Sequence, residues 1–275
     1  MSWSTTKDRP IKKKITEGLF LHIKHTNPDY VFKCFFCLPS TRATDVEEAL
    51  KRGVIDKDTK IIAIERDPKH LLKLKLRLTR LGFGPNSRVV INKDLCDLTT
   101  YELATACKEL GVEGVDLFYI DTCNCLVDCV QDWIQDVACN EMVALTNSVL
   151  IVNVQGARAT HDLDKYPNED LHGSSNNINP WANKIAQCLS AKTQRNTFLT
   201  VGYKEPSNGN RGCGGSPMVL CVCHPATPDG PITMANSSYF AWEMQNSGYK
   251  EYELYKPRGF SYACAVNDWF CKNFA

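Results

Sequence analysis

Glu65, Asp94 and Asp121 each stand at the end of a short apolar run of the chain. If these runs are parallel strands of one sheet, their carboxyl ends share an edge, and ligands bind in the crevice beyond that edge. A carboxylate there can accept hydrogen bonds from both hydroxyls of a ribose, and another can accept from the amino group of an adenine. Any one acid at a strand end is more often structural, but the joint spacing of the three indicates a nucleoside-binding site.

The elements that would position these acids follow from the apolar periodicity of the chain. Strands are predicted over residues 30–38, 60–64, 88–92, 115–120, 148–154, 197–203 and 218–224, and helices over 11–25, 44–52, 68–81, 99–110, 126–137 and 180–193. Thr44 is predicted to cap its helix, with Glu47 completing a capping box. The alternation predicts a parallel sheet, whereas the last two strands leave no room for a helix between them and should pair antiparallel. The predicted fold is therefore α/β and Rossmann-like, a mostly parallel seven-stranded sheet with an antiparallel last strand and helices on both faces.

Composition sets the limits of the molecule. The 275 residues are 43% hydrophobic, and we divide them into a basic N-terminal extension and helix (1–29), a main domain (30–225) and an aromatic-rich C-terminal extension packed on it (226–275). Apolar runs are too short to span a bilayer, and no secretory signal is recognisable. The 14 cysteines are expected to be mostly reduced and buried. We therefore expect an intracellular protein, cytoplasmic or nuclear.

The element order and the acidic strand ends resemble the class I S-adenosylmethionine-dependent methyltransferases. The sequence Ile-Ile-Ala-Ile-Glu-Arg-Asp-Pro over residues 61–68 is similar to the family's acidic motif after the second strand. The resemblance implies S-adenosylmethionine as the cofactor. It also implies that Glu65 and Arg66 lie at the ribose, and that Asp94 and Leu95 lie at the adenine.

The loop after the first predicted strand departs from the family pattern. The family has a glycine-rich loop there, whereas residues 37–44 contain no glycine. The resemblance nevertheless assigns four residues of this loop to the cofactor, and the helix N-terminus after them could hold a carboxylate or phosphate. The four are Leu38, Pro39, Ser40 and Thr41.

Asp121 is the residue we expect to carry the chemistry. It matches the family motif after the fourth strand, Phe-Tyr-Ile-Asp over residues 118–121, which faces methyl donor and substrate. A carboxylate there orients an acceptor amine or hydroxyl or takes its proton, and Asn124 could share that role. Three aromatic residues are candidates for stacking on a nucleic-acid base. They are Tyr119, Trp181 and Tyr203.

Cysteine residues offer two other chemistries, a nucleophile and a zinc site. Cys123 and Cys125 lie near the fourth strand, where some family members carry a nucleophilic cysteine, but neither has the expected Pro-Cys context. The cysteine pairs of residues 34–37 and 221–223 could ligate zinc, but alternate residues of a strand face opposite ways. We predict no metal site.

Two hypotheses of function remain open. In the first, the protein transfers methyl groups to a nucleic acid; in the second, it is a catalytically inactive module that binds a protein or RNA partner. The missing glycines favour the second hypothesis and the retained acids favour the first. A separate prediction is that RNA or DNA contacts a basic surface, with a protein partner as the alternative. The residues of this surface are Lys12, Lys13, Lys14, Lys69, Lys73, Lys75, Arg77 and Arg80.

Overall fold

The computed structural model describes residues 10–122, 126–155, 185, 188–193, 195–204, 217–224 and 252–254. Its helices are α1 (Pro10–Thr26), α2 (Thr44–Lys51), α3 (Pro68–Arg80), α4 (Thr100–Leu110) and α5 (Asp128–Trp133), which continues as a π-helical turn over Ile134–Ala138. Its strands are β1 (Cys34–Cys37), β2 (Lys60–Ile64), β3 (Arg88–Ile91), β4 (Val115–Asp121), β5 (Ala144–Gln155), β6 (Asn196–Lys204), β7 (Pro217–His224) and β8 (Tyr252–Leu254).

The strands of this part of the chain form one eight-stranded sheet in the order β3-β2-β1-β4-β5-β7-β6-β8. Pairs from β3 through β5 are parallel, whereas β7 lies antiparallel between β5 and β6. The mostly parallel sheet and the antiparallel closing pair are thus confirmed. The sequence did not predict β8, which pairs antiparallel with β6, because three residues are too few to show a periodicity.

An apolar core covers each face of the sheet. Cys34 and Phe36 of β1 enter one core, and Phe35 and Cys37 enter the other, because successive side chains of a strand point to opposite faces. Helices α4 and α5 cover the first face, and α1, α2 and α3 cover the second. Helices on both faces are therefore confirmed. All seven residues of β4 are buried, as expected for a central parallel strand.

Helix α1 is a tightly packed layer of the second core. Ile15, Leu19, Phe20 and Ile23 are each at most 1% exposed, and their spacing puts them on one helical face. Full burial of one such side chain contributes about 1.5–3 kcal/mol to folding. The apolar face of α1 therefore fixes the helix, and with it the polar side chains that the helix carries towards β4.

The start of α2 differs from the prediction. Ala43, not Thr44, is the N-cap residue, with a left-handed φ of 47° and no side-chain cap. A side-chain cap needs an extended backbone at the cap residue, so the predicted capping box of Thr44 and Glu47 is wrong. The predicted start of α4 has such a box, formed by Thr99 and Glu102.

Some element lengths also differ. Only four residues of the predicted strand 30–38 form β1, whereas β5 begins four residues before its predicted start at residue 148. The predicted helix over 180–193 is helical where it is described, at residue 185 and over 188–193. No helix within the described ranges is long and apolar enough to cross a membrane.

Candidate active site

Glu65, the acid predicted to bind a ribose, directly follows β2 at the carboxyl edge of the sheet. Its Oε1 accepts a hydrogen bond from the backbone N–H of Asp67 at 2.9 Å, and its Oε2 lies 3.8 Å from His70 Nδ1. Asp67 in turn caps α3 by accepting from the N–H of Lys69, and Pro68 opens the helix. The turn into α3 thus fixes the Glu65 carboxylate at this edge.

Asp94 and Arg66 lie beside it and approach one another. Arg66 Nη1 is 3.5 Å from Asp94 Oδ2, and the two side chains are 58% and 44% exposed. Asp94 caps a short 3-10 turn, Leu95–Asp97. Asn92 Nδ2 donates to the carbonyls of Glu65 and Arg66, which ties the end of β3 to the end of β2. The structure therefore brings the predicted ribose and adenine residues together, and we call Glu65, Arg66 and Asp94 the outer acidic edge.

The glycine-free loop connects β1 to α2 through a tight turn. The Ser40 carbonyl accepts from the N–H of Ala43 at 2.9 Å, and Ser40 Oγ accepts from the N–H of Arg42. The left-handed conformation costs an L-residue about 1–2 kcal/mol, and here the fully buried Ala43 adopts it. Alanine therefore takes a backbone conformation that glycine usually supplies. The loop carries the predicted cofactor residues Leu38, Pro39, Ser40 and Thr41 at the carboxyl end of β1.

A second group of charges is buried beyond the carboxyl end of β4. Asp121 forms an ion pair through Oδ2 with Nζ of Lys12, and these side chains are 3% and 16% exposed. Asn153 Nδ2, at the paired position on β5, lies 3.4 Å from Asp121 Oδ1. Helix α1 therefore places the ammonium group of Lys12 beside Asp121, the acid that the sequence predicts to be catalytic.

Asp45 and Tyr119 complete this group, which we call the lysine–aspartate cluster (Lys12, Asp45, Asp121 and Tyr119). Burial in the first turn of α2 raises the pKa of Asp45 to about 7; Lys12 opposes the shift and Asp121 adds to it. Burial likewise raises the pKa of Tyr119 well above its usual value, and its hydroxyl lies 2.9 Å from Thr16 Oγ1. The cluster can hold or exchange a proton near neutral pH, as general acid–base chemistry requires.

Of the three predicted stacking residues, Tyr119 is the one whose side chain lies in the described part of the chain. Tyr119 is fully buried against Phe20 and Phe35, so the prediction that it stacks on a base is wrong: the helix α1 covers its ring. Tyr203 lies in β6 opposite Met218, and its side chain is outside the described part. Asn124 and Trp181 also lie outside the described residues.

Sequence reasoning missed the inward role of Lys12 and overlooked Asp45. Lys12 was predicted to face phosphates, but it points to Asp121. The signal was present, because Lys12 precedes Ile15 and Leu19 at helical spacing and so shares their buried face. Asp45 lies next to Val46 on the buried side of α2, a placement that the short helix did not reveal by periodicity.

Not all of the remaining basic residues form the exposed surface that the sequence predicts. Arg77 is held by hydrogen bonds within the fold: its Nη2 donates to Glu47 Oε2 at 2.7 Å, and its Nε donates to the carbonyl of Arg42 at 2.8 Å. Lys14 Nζ lies 3.7 Å from Glu17. The exposed members are Lys13, Lys69, Lys73, Lys75 and Arg80. Over the described ranges, no group of three or more His, Cys, Asp or Glu side chains is placed to hold a metal ion.

Comparisons with known proteins gave matches only among solved structures. Neither a model of a protein family nor a curated protein sequence matches the chain. An O-methyltransferase from Streptomyces achromogenes involved in tomaymycin synthesis, in complex with S-adenosylmethionine, is 8% identical over 80% of this chain and 82% of its own, with a TM-score of 0.45. An O-methyltransferase from Bacillus cereus, in complex with S-adenosylhomocysteine, is 11% identical over 78% and 82%, with a TM-score of 0.42. A spermidine synthase is 12% identical over 83% and 64%, with a TM-score of 0.44.

Likeness at this level carries no conclusion about activity. The fold itself is defined by features of this molecule. The parallel strands run in the order β3-β2-β1-β4-β5, and the antiparallel β7 lies between β5 and β6. This strand order and the inserted antiparallel strand give the chain the Rossmann-like fold of the class I methyltransferases.

Proposed function

We propose that this protein is an S-adenosylmethionine-dependent methyltransferase. One observation carries the proposal: Glu65, Asp94 and Asp121 lie at the carboxyl ends of β2, β3 and β4, along one edge of a sheet with the methyltransferase strand order. Each of these acids also has a structural partner within the fold, but their joint placement along one edge suits a nucleoside with a charged tail.

The donor set of the site fits S-adenosylmethionine part by part. The Glu65 carboxylate, already oriented by the Asp67 N–H, is an acceptor suited to two ribose hydroxyls. The half-exposed Asp94 carboxylate is an acceptor suited to the adenine amino group, beside Leu95. The amino-acid tail of the cofactor is a zwitterion, and the lysine–aspartate cluster offers both a cation and carboxylates. Leu38, Pro39, Ser40 and Thr41 would border the cofactor from the loop after β1.

In methyl transfer the protein itself does little covalent chemistry. When bound, the cofactor supplies an electrophilic methyl group on a sulfonium. Asp121 orients the acceptor and receives its proton, and its position is fixed by a strand buried along its whole length. Lys12 pairs with Asp121 and places a cation near the buried Asp45. Most of the rate acceleration would then come from proximity and orientation.

Calorimetry of S-adenosylmethionine binding tests the proposal directly. Glu65→Ala should weaken binding by about 1–3 kcal/mol, because it leaves the ribose hydroxyls without their acceptor. Glu113→Ala, which removes an exposed acid before β4, is the matched control and should leave the affinity unchanged. If the wild-type protein does not bind the donor, the alternative of an inactive partner-binding module takes its place.

The acceptor we propose is a nucleic acid, held through the outer face of α3. Support comes from Lys69, Lys73, Lys75 and Arg80, which are all exposed on this one helix. Lys69, Lys73 and Arg80 recur at helical spacing and form a local basic stripe, with Lys75 exposed to one side of it, on a chain whose net charge is only +1.

Fluorescence anisotropy with labelled RNA and DNA oligonucleotides over a salt series tests this acceptor. Affinity should fall steeply as salt rises, and Lys73→Gln should reduce the slope by about 1 if it contacts a phosphate. Lys108→Gln, an exposed lysine of α4, is the control and should leave the slope unchanged. A flat salt dependence, or no binding at low salt, would exclude a nucleic acid.

A further inference from the structure

Helix α3 carries leucines on two opposite sides. Leu74 and Leu78 are fully buried in the second core. Leu72 and Leu76, one helical turn apart, are instead 68% and 51% exposed. A single exposed leucine is ordinary on a protein surface, but two neighbours on one helical face form an apolar ridge that the core does not require. We call Leu72 and Leu76 the leucine ridge.

The leucine ridge is bordered by positive charge on both sides. Helical spacing places the basic stripe (Lys69, Lys73 and Arg80) along one side of the ridge. Lys75 lies on its other side, and all four basic side chains are exposed. Residues 68–80 contain no acid. The outer face of α3 therefore fits a partner that presents negative charge and apolar surface side by side.

Paired and unpaired nucleic acids differ in what they offer such a face. A duplex presents phosphates on its outside and keeps the faces of its bases stacked within. Leucines reach those faces only by separating stacked base pairs, which costs stacking energy. An unpaired strand presents its phosphates together with base faces that can rest on side chains of the protein. The leucine ridge therefore gains a contact from an unpaired strand that an undistorted duplex does not offer.

The position of Asp121 favours the same form of nucleic acid. Its side chain is 3% exposed at the end of β4, so an acceptor atom must enter the crevice to reach it. A base stacked in a duplex must first be flipped out, whereas a base of an unpaired strand avoids the cost of breaking its pair. Helix α3 begins beside Glu65, because its cap residue Asp67 donates its N–H to the Glu65 carboxylate. A strand held on α3 therefore starts at the sheet edge that carries the proposed cofactor site.

We propose that the outer face of α3 binds an unpaired strand of nucleic acid, with its bases on the leucine ridge and its phosphates on the basic stripe. The proposal rests on the proposed function, because it names the form of the nucleic-acid acceptor. The two kinds of contact respond differently to salt. Phosphate contacts weaken as salt rises because counterions are released, whereas contacts between leucines and base faces release none.

Fluorescence anisotropy of the full chain with labelled oligonucleotides tests the proposal. One sequence without self-complementarity is used as RNA and as DNA, each single-stranded and annealed to its complement. The wild type should bind a single strand about tenfold more tightly than the matching duplex. Tighter binding of either the RNA or the DNA single strand supports the proposal, and the comparison of the two identifies the preferred sugar.

The double variant Leu72→Ala with Leu76→Ala removes the ridge and keeps a high helix propensity. It should lose about tenfold in affinity for the single strand at every salt concentration, and its affinity for the duplex should not change. Tyr101→Ala, which removes an exposed aromatic side chain from α4, is the matched control and should bind as the wild type does. Lys73→Gln should instead lower the salt slope with both forms. Circular dichroism verifies that each variant is folded.

Three outcomes would overturn the proposal. The first is equal affinity of the wild type for single strands and duplexes. The second is a double leucine variant that keeps the full preference for single strands, or that loses affinity for both forms alike. The third is no binding of any oligonucleotide at low salt, which would exclude a nucleic acid from this face and leave an acidic protein as the partner of the leucine ridge.

Calorimetry of S-adenosylmethionine binding keeps this proposal separate from the proposed function. The double leucine variant should bind the methyl donor as tightly as the wild type does, because the leucine ridge lies on the outer face of α3 and outside the proposed cofactor site. If the wild type binds single strands but not the donor, the proposed methyltransferase function fails and the strand-binding face stands.

Discussion

The outer acidic edge and the lysine–aspartate cluster each contain an ion pair between a basic side chain and an aspartate, exposed to solvent in the first and buried in the second. Arg66 and Asp94 meet at 3.5 Å with about half of each side chain in solvent. Lys12 and Asp121 meet under α1 with little of either side chain exposed. Water and salt screen the charges of the first pair. In the second pair little water reaches either charge, so each is stabilised mainly by the other.

The difference assigns separate tasks to the two regions. An exposed pair is weak and exchanges partners readily, which suits a place where a neutral nucleoside must bind and leave. A buried pair is held in place, because removing either partner leaves an uncompensated charge in the core. The cluster can therefore keep Asp121 oriented, while Asp45, whose pKa is raised to about 7, takes up or releases a proton near neutral pH.

The largest expected effect comes from breaking the buried pair. Lys12→Met leaves the carboxylates of Asp121 and Asp45 without their cation and should lower the free energy of unfolding by about 3–5 kcal/mol. Urea denaturation measures it. Lys13→Met, an exposed neighbour on the same helix, is the control and should change stability by less than about 0.5 kcal/mol.

The double variant Lys12→Met with Asp121→Asn removes both charges and should regain part of the loss. If Lys12→Met alone is as stable as the wild type, the buried pair is no stronger than a surface pair and the contrast between the two regions fails.

The next largest effect is a pH dependence of the free energy of unfolding, caused by Asp45 of the lysine–aspartate cluster. The pKa of Asp45 is raised from 3.8 to about 7, so the folded state holds this proton more tightly than the unfolded chain. The associated stability is complete below pH 3.8 and is lost as pH rises towards 7. Asp45→Asn, which mimics the protonated acid, should remove this slope from a series of denaturation curves.

Asp58→Asn, at an exposed position before β2, should leave the slope of the wild type intact. A wild-type protein whose Asp45-dependent stability instead rises between these pH values would mean that Lys12 dominates over burial, and that Asp45 is charged in the fold.

The smallest expected effect is at the outer acidic edge. Arg66→Met should change stability by less than about 1 kcal/mol, because the pair is half exposed and screened by water. Any difference should vanish at about 1 M salt, where the screening length is about 3 Å. Thermal unfolding at low and high salt measures it. A loss as large as that of Lys12→Met would show that exposure does not separate the two regions.

Sequence patterns predicted the outer acidic edge well and the cluster poorly, for a physical reason. Glu65 and Asp94 follow strands whose apolar runs are local and easily read, and a strand end fixes where the next side chain lies. The cluster joins Lys12, Asp45 and Asp121, which are far apart in the chain, and their contact depends on how α1 and α2 pack over β4. Tyr119 was misassigned for the same reason, since only the packing of α1 shows that its ring is covered.

By itself, the sequence determined the alternation of strands and helices, the antiparallel closing pair and the acids at the ends of β2, β3 and β4. These features follow from periodicity and from the lack of room for a helix between β6 and β7, which are local properties of the chain. The tertiary structure decided two others: the left-handed Ala43 in the glycine-free loop and the inward turn of Lys12 to Asp121. Each joins or bends segments through packing, and packing is set by the whole core rather than by neighbouring residues.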